Sequence, residues 1–249
     1  MLHSRSIDGV GSVEKPNAGP RGDFIFELDY VFGELMKTLN DLVLGDNTLV
    51  MFSSDNGPEV TSVINMRKDY GNDGARPWRG MKRDNWEGGH RVPMIARWPG
   101  RIKAGSLTDQ PFCLTDVTAT CAAVVEADLP NDAAEDSFNF LPVSSGDQPS
   151  DQHLRKYTLH QTISLALAIR HGPWKYLDHQ GSGGNNCSRP RLKPFRLKDT
   201  ASGVVGQLYS LATDPGETTS LHSEHPKIVK ELKSKPNEFR SSGRSAPAR

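Results

Sequence analysis

Residues 45–57 read Gly-Asp-Asn-Thr-Leu-Val-Met-Phe-Ser-Ser-Asp-Asn-Gly, and the fold class shows here first. Gly45-Asp46-Asn47 is turn chemistry. Thr48 to Phe52 is a short, largely apolar run of strand-like composition, and it ends in Ser53-Ser54-Asp55-Asn56-Gly57. Upstream, Phe24, Leu28, Val31, Phe32, Leu35, Leu39 and Leu42 recur mostly at three- and four-residue steps between Asp23 and Val43, which predicts an amphipathic helix. Its polar face carries Glu27, Glu34, Lys37 and Asn40. A helix feeding a buried strand predicts an α/β fold built on a parallel sheet flanked by helices. Asp55 and Asn56 then fall at the carboxyl end of a strand, where open α/β sheets place their ligand crevice.

Beyond this stretch, residues 60–90 show no sustained period and are dense in Gly, Asp, Asn and Arg, which predicts a long functional loop. Val92 to Trp98 has strand character, and Thr115 is placed to cap a helix through Val117, Cys121, Val124 and Val125 that stops at Leu129-Pro130. Residues 131–152 form a polar connection. Short β-like runs follow at Tyr157 to Leu159, Leu165 to Arg170, Trp174 to Leu177 and Gln207 to Leu211, and they predict a small antiparallel sheet. Pro226 suits the first position of a helix carrying Ile228, Val229 and Leu232. The expected organisation is an irregular segment over 1–21, an α/β portion over 22–150, an antiparallel subdomain with its helix over 151–234, and a disordered Ser, Pro, Arg and Lys-rich tail over 235–249. No internal repeat is present.

Thirty basic and thirty acidic residues balance, so no global field favours nucleic acid or an anionic membrane, and anion recognition falls to a specific site. Apolar content of 35% with 17 prolines and 23 glycines points to a loop-rich protein. Cys113, Cys121 and Cys187 are too few and scattered for a disulfide framework, and no C-x-x-C pair suggests zinc. Met1 to Gly22 contains no apolar core of a secretory signal, and no run approaches the about 20 apolar residues of a membrane span.

Two segments bear chemistry. The carboxylate of Asp55 and the amide oxygen of Asn56 suit a hard cation such as calcium or magnesium, although Asp-Asn-Gly after a strand is also ordinary turn chemistry. Arg79 to Pro93 reads Arg-Gly-Met-Lys-Arg-Asp-Asn-Trp-Glu-Gly-Gly-His-Arg-Val-Pro. Its glycines permit close backbone approach and Lys82 offers an ammonium to an oxyanion; the alternative is a solvated charged loop. His90 suits either a substrate contact or a structural tie within the loop. For His160 and His171 an ordinary exposed or packing role is expected, and for Trp78, Trp86, Trp98 and Trp174 a packing role.

In order, spacing and identity, NTLVMFSSDNGPE followed by RGMKRDNWEGGHRVPMIARWPGRI resembles the matching block of the sulfatase family. The resemblance extends to the preceding helix from Gly22-Asp23 to Leu39, to Leu114-Thr115-Asp116 through Leu129-Pro130, and to AIRHGPWKY (168–176) and QLYSLATDPGE (207–217), so it covers about Gly22 to Leu232. It implies an alkaline-phosphatase-like α/β fold that hydrolyses sulfate esters at calcium, using a formylglycine nucleophile made from Cys or Ser. By position it implies Asp55 and Asn56 as metal ligands and Lys82 as the residue that binds the sulfate oxygens. Intact relatives also carry an aspartate pair, a C-x-P-S-R or S-x-P-S-R motif, a lysine and histidines upstream of this block, and none of these is present. Cys113, Cys121 and Cys187 have the wrong following residues, and Ser245-Ala246-Pro247-Ala248-Arg249 copies a loose motif at the wrong end. The expectation is therefore a truncated sulfatase portion with an incomplete calcium site and no formylglycine, inactive alone, taking an aryl or carbohydrate sulfate ester as substrate and open to completion by an N-terminal half. The alternatives are a non-catalytic sulfated-glycan-binding module and a phosphate-ester hydrolase of the same superfamily. Intact relatives are often periplasmic or extracellular.

Overall fold

The computed structural model describes residues 19–72, 74–185, 188–190, 192–193 and 196–248. Cys187, Arg249 and the irregular segment expected over 1–21, as far as residue 18, lie outside the described residues. The chain opens with helix α1 (Gly19–Asp41), then strand β1 (Val50–Ser53), helix α2 (Val60–Tyr70), strand β2 (Met94–Arg97), helix α3 (Asp116–Val124) and a short helix α4 (Leu141–Ser145). Strands β3 (Tyr157–Gln161), β4 (Leu167–His171), β5 (Trp174–Leu177) and β6 (Gln207–Ser210) follow, and helix α5 (Pro226–Ser242) ends the regular structure. None of the described helices is long and apolar enough to cross a membrane.

The parallel sheet expected around β1 is not what forms among the described residues: β1 pairs antiparallel with β2, Val50 opposite Arg97 and Ser53 opposite Met94. The long loop expected over 60–90 is interrupted by α2. Glu59 caps it by accepting a hydrogen bond from the Val60 amide, Gly71 closes it in the left-handed conformation, and Val60, Val63 and Met66 give it a buried stripe. Val60 and Val63 pack with Ala75 and Met81. That stripe is only three residues wide and lies beside a run of Gly, Asn and Asp, so it was outweighed in the sequence pattern. At α3 the Thr115 side chain makes no cap. Asp116 does related work from the next position, accepting from the Cys113 amide at 2.8 Å.

Strands β3 to β6 form one antiparallel sheet in chain order. With period-2 alternation this sheet has two different faces. Tyr157, Leu159, Ile169, Trp174, Tyr176 and Leu208 face α5 and pack against Leu232, Ile228, Val229 and Phe239. Thr158, His160, Ala168, Arg170, Lys175, Leu177, Gln207 and Tyr209 occupy the other face in register, and Ala168, Leu177 and Tyr209 pack against Trp86 of the loop that precedes β2. The loop and α5 thus sandwich the sheet.

The tail expected to be disordered from residue 235 is instead helical to Ser242. Its composition misleads because one side chain, Phe239, is enough to extend the Leu232 stripe by two turns onto the sheet. Beyond the helix, Ser245 donates to Asp136 from both its amide (2.8 Å) and its hydroxyl (2.7 Å), and the Ala246 amide donates to the Glu135 carbonyl at 3.0 Å. At the other end, α1 has no buried residue: Phe24, Leu28, Val31 and Leu35 are all exposed, and Phe32 meets Phe52 of β1 edge-on at 5.2 Å.

Leu232 is 1% exposed at the centre of the α5 contact. Leu232→Ala is expected to lower unfolding free energy by about 2–5 kcal/mol, read by urea denaturation followed through far-UV circular dichroism; a loss below about 0.5 kcal/mol, the range of ordinary surface changes, would show that α5 is not anchored there.

Candidate functional site

Beyond Ser53, β1 gives way to a turn that places the Asp55 carboxylate in solvent, while Asn56 is half-buried. Backbone hydrogen bonds tie this turn to the loop before β2: the Gly57 amide donates to Gly89 at 2.9 Å, and the Lys82 amide donates to Pro58 at 3.0 Å. Within the loop the Gly88 amide donates to Arg79 at 2.6 Å. The approach is so close that a Cβ on Gly57 would stand 1.8 Å from the Gly88 oxygen, one on Gly88 2.3 Å from the Gly80 oxygen, and one on Gly89 2.0 Å from the Asp84 oxygen. Only glycine is compatible with contacts this short. The two segments singled out in the sequence are thus one structure.

Lys82 is held through its backbone. Its carbonyl accepts from Asn185 Nδ2 at 2.8 Å, and Asp84 beneath it accepts from the Met81 amide (3.0 Å) and from Asn185 Nδ2 (2.8 Å). Burial pushes the Asp84 carboxyl up, with these hydrogen bonds acting against it. Beside Lys82, Arg83 makes a bidentate pair with Glu59 at 3.0 and 2.7 Å. The Glu59 carboxyl is held low by the hydrogen bonds from Arg83 first, and to a smaller degree by the charge of Lys82. The Lys82 ammonium has no hydrogen-bond partner among the described residues.

A buried charge network fastens the loop to the C-terminal sheet. Lys175 Nζ, with its side chain fully buried on β5, lies 2.8 Å from Glu87 Oε1 and 3.1 Å from Glu217 Oε1. Arg91 reaches Glu87 Oε2 at 2.9 Å, and the Glu87 amide donates to Glu217 Oε2 at 2.7 Å. The contact between Lys175 and Glu217 Oε1 is a charge contact off the hydrogen-bond direction, since that oxygen has no hydrogen-bond donor. The two carboxylates consequently diverge. Burial alone would raise Glu87, but Lys175 and its other partners hold it far below the usual carboxylate range. Glu217 shares one cation with a second anion, and burial pushes it up to about 7.

His90 is part of this network. Its Nε2 lies 3.3 Å from Lys175 Nζ and 3.2 Å from Glu87 Oε1. Burial, reinforced by Lys175, lowers it to about 4. The ring is therefore neutral, with Nε2 accepting from Lys175. Of the two roles considered for His90, this is the structural tie. His160 on β3 stacks on it with ring centroids 3.6 Å apart.

A cavity of about 1030 Å³ opens between the turn and the sheet, and Ser53, Asp55, His90, Arg91, His160 and Arg170 are among its lining residues. Asp55 reaches it, whereas Asn56 and Lys82 are not in its wall. For calcium, the donor chemistry of Asp55 and Asn56 fits: one exposed carboxylate, unbonded among the described residues, and one amide oxygen. Two such residues supply part of the six to eight oxygens that calcium takes, and no group of three or more His, Cys, Asp or Glu residues placed to hold a metal occurs among the described residues. The sequence alone does not mark Glu87, Lys175 and Glu217 as site residues. A lysine alternating with Trp174 and Tyr176 reads as the solvent face of a strand, and its partner Glu87 is 88 positions away.

Comparison with known proteins places this architecture. Residues 8–127 match the family model described as Sulfatase. The chain is 34% identical over 221 residues to an N-acetylgalactosamine-6-O-sulfatase of Bacteroides thetaiotaomicron, covering 88% of this chain and 41% of that protein. It is 32% identical over 223 residues to human arylsulfatase A, covering 88% of this chain and 42% of that protein. Among solved structures, the PsFucS1 sulfatase from Pseudoalteromonas sp. superposes with a TM-score of 0.73 at 25% identity, over 94% of this chain and 45% of that one. The fold is the alkaline-phosphatase-like fold of sulfatases. This chain belongs to the sulfatase family, and it spans about 41% of the length of the relative from Bacteroides thetaiotaomicron.

Lys175→Met leaves two buried carboxylates facing each other and is expected to cost about 3–5 kcal/mol, read as a fall in the urea midpoint; an unchanged midpoint would exclude the network as a fastening. Glu217 sets a pH dependence. Its folded pKa of about 7 lies above the ordinary 4.5, so between those values the folded state keeps a proton that the unfolded chain has released. Wild type should lose stability relative to Glu217→Gln as pH rises from 5 to 8, while the opposing contribution of His90 is common to both proteins and cancels. A stability difference that is flat with pH would contradict the assignment.

Proposed function

We propose that this chain forms the sulfate-ester-recognising part of a calcium-dependent sulfuric ester hydrolase acting on sulfated carbohydrates. The observation that carries the reading is the backbone braid between the two candidate segments, the Gly57 amide on Gly89 and the Lys82 amide on Pro58, which sets Lys82 beside the turn of Asp55 and Asn56. Asp55 and Asn56 would hold calcium, which when bound supplies positive charge against the sulfuryl oxygens. The Lys82 ammonium, unpaired among the described residues, supplies a second positive charge that becomes more valuable as charge builds on sulfate while the ester bond breaks. The carbohydrate assignment follows the relative acting on N-acetylgalactosamine 6-sulfate groups, to which the chain is similar over 88% of its length.

Hydrolysis is assigned to assembly with further residues. In these 249 residues no cysteine stands in a formylglycine motif, and among the described residues no group of three or more His, Cys, Asp or Glu is placed to hold a metal. The exposed apolar stripe of α1, together with Ile95 at 60% exposure on β2, is where a complementing N-terminal half would pack.

Calorimetric titration of the 249-residue chain with N-acetylgalactosamine 6-sulfate in calcium tests the reading. Lys82→Ala is expected to weaken binding about tenfold or more, the cost of one charged hydrogen bond, and Asp55→Ala to abolish its calcium dependence. Sulfate-ester binding indifferent to both substitutions would contradict the reading, as would turnover of an aryl sulfate by the purified chain that depends on Lys82.

A further inference from the structure

The loop-facing side of the β3 to β6 sheet carries six polar side chains, and four of them are committed to the fold by hydrogen bonds. Thr158 is buried at 7% exposure, and Arg170 Nε donates to the Gly172 carbonyl at 3.0 Å. Lys175 is held by Glu87. Gln207 accepts from Trp86 at 3.2 Å and donates to the carbonyls of His179 and Gly181 at 2.9 and 2.7 Å, and the Tyr209 hydroxyl donates to Gln207 at 2.6 Å. The sixth is His160, whose ring has no hydrogen-bond partner among the described residues.

Its position is nonetheless determined. The ring lies flat on His90 at 3.6 Å, and His90 is itself in contact through Nε2 with buried Lys175 and Glu87, so His160 rests on two layers of buried contacts. His160 lines the same cavity as Asp55. A side chain that is fixed in place, has spare hydrogen-bonding capacity and faces a cavity is arranged for a ligand. Burial first, and then the positive charges of His90 when protonated and of Lys175, disfavour the imidazolium, which leaves a ring with one donor and one acceptor nitrogen. That pattern matches a sugar hydroxyl, which donates and accepts in the same way. It gives nothing to the plain face of an aryl group.

We infer that His160 is a specificity-determining residue that hydrogen-bonds a hydroxyl of a carbohydrate sulfate ester whose sulfate is bound at the Asp55, Asn56 and Lys82 site. The assignment rests on the proposed sulfate-ester reading and names the part of the substrate beyond the sulfate.

The test uses the full 249-residue chain with calcium and two probes, galactose 6-sulfate and 4-methylumbelliferyl sulfate, which share the sulfate but differ in hydroxyls. His160→Ala is expected to weaken galactose 6-sulfate binding about tenfold and leave the aryl sulfate unchanged, with His160→Asn, which keeps a donor and an acceptor, recovering part of the loss. Far-UV circular dichroism and the urea midpoint check that each variant folds. An equal loss for both probes, or none for either, overturns the His160 assignment while the sulfate-ester reading stands. Wild-type protein that binds neither probe overturns both.

Discussion

One buried ammonium organises this structure. Lys175 has no exposed side-chain surface, and removing it from water is tolerable only because Glu87 and Glu217 flank it at 2.8 and 3.1 Å. Those partners come from different places in the chain, one from the glycine-rich loop and one from the turn after β6. The network therefore specifies how the loop sits on the sheet. A buried ion arrangement of this kind contributes little net stability compared with well-packed apolar groups, but it strongly penalises every arrangement in which a carboxylate is left alone. Trp86 and His90, on either side of Glu87, are fixed as a consequence.

From this anchor the site is built outward. With Glu87 held to β5, the loop turns through Gly88 and Gly89, and their lack of side chains lets the chain close onto Gly57 and on to the turn of Asp55. On the other side, Asp84 and Asn185 clamp the backbone of Lys82. The C-terminal sheet thus acts as the platform on which the candidate metal and sulfate groups are set, although it contributes none of them. It does contribute His160, stacked on the same His90 that the network immobilises.

Much of this architecture was legible in the sequence. Strands β3 to β6 lie within two residues of the alternating runs at 157–159, 165–170, 174–177 and 207–211, and the Asp55 turn lies at the end of β1 as expected. What could not be read were long-range consequences. The direction of β1 relative to β2 depends on a pairing across some forty residues, and α2 depends on Ala75 and Met81 covering its narrow stripe. The helical course of residues 235–242 depends on Phe239 finding the sheet. Lys175 follows the same logic: its residue type predicts solvent, and only the distant Glu87 and Glu217 make burial possible. The Asp55 and Lys82 segments were each ambiguous alone and gained meaning from their joint resemblance to one family block, which the backbone braid now accounts for physically.

The central claim is that the turn of Asp55 and Asn56 and the loop of Lys82 form a single recognition unit for a metal and a sulfate ester. A crystal structure of the 249-residue chain grown with calcium and a monosaccharide 6-sulfate tests it most directly. The account predicts calcium on oxygens of Asp55 and Asn56, the sulfate within hydrogen-bond distance of Lys82 Nζ, and the sugar extending into the cavity beside His160. A sulfate bound elsewhere, out of reach of Lys82 Nζ, with no metal at Asp55, would contradict it.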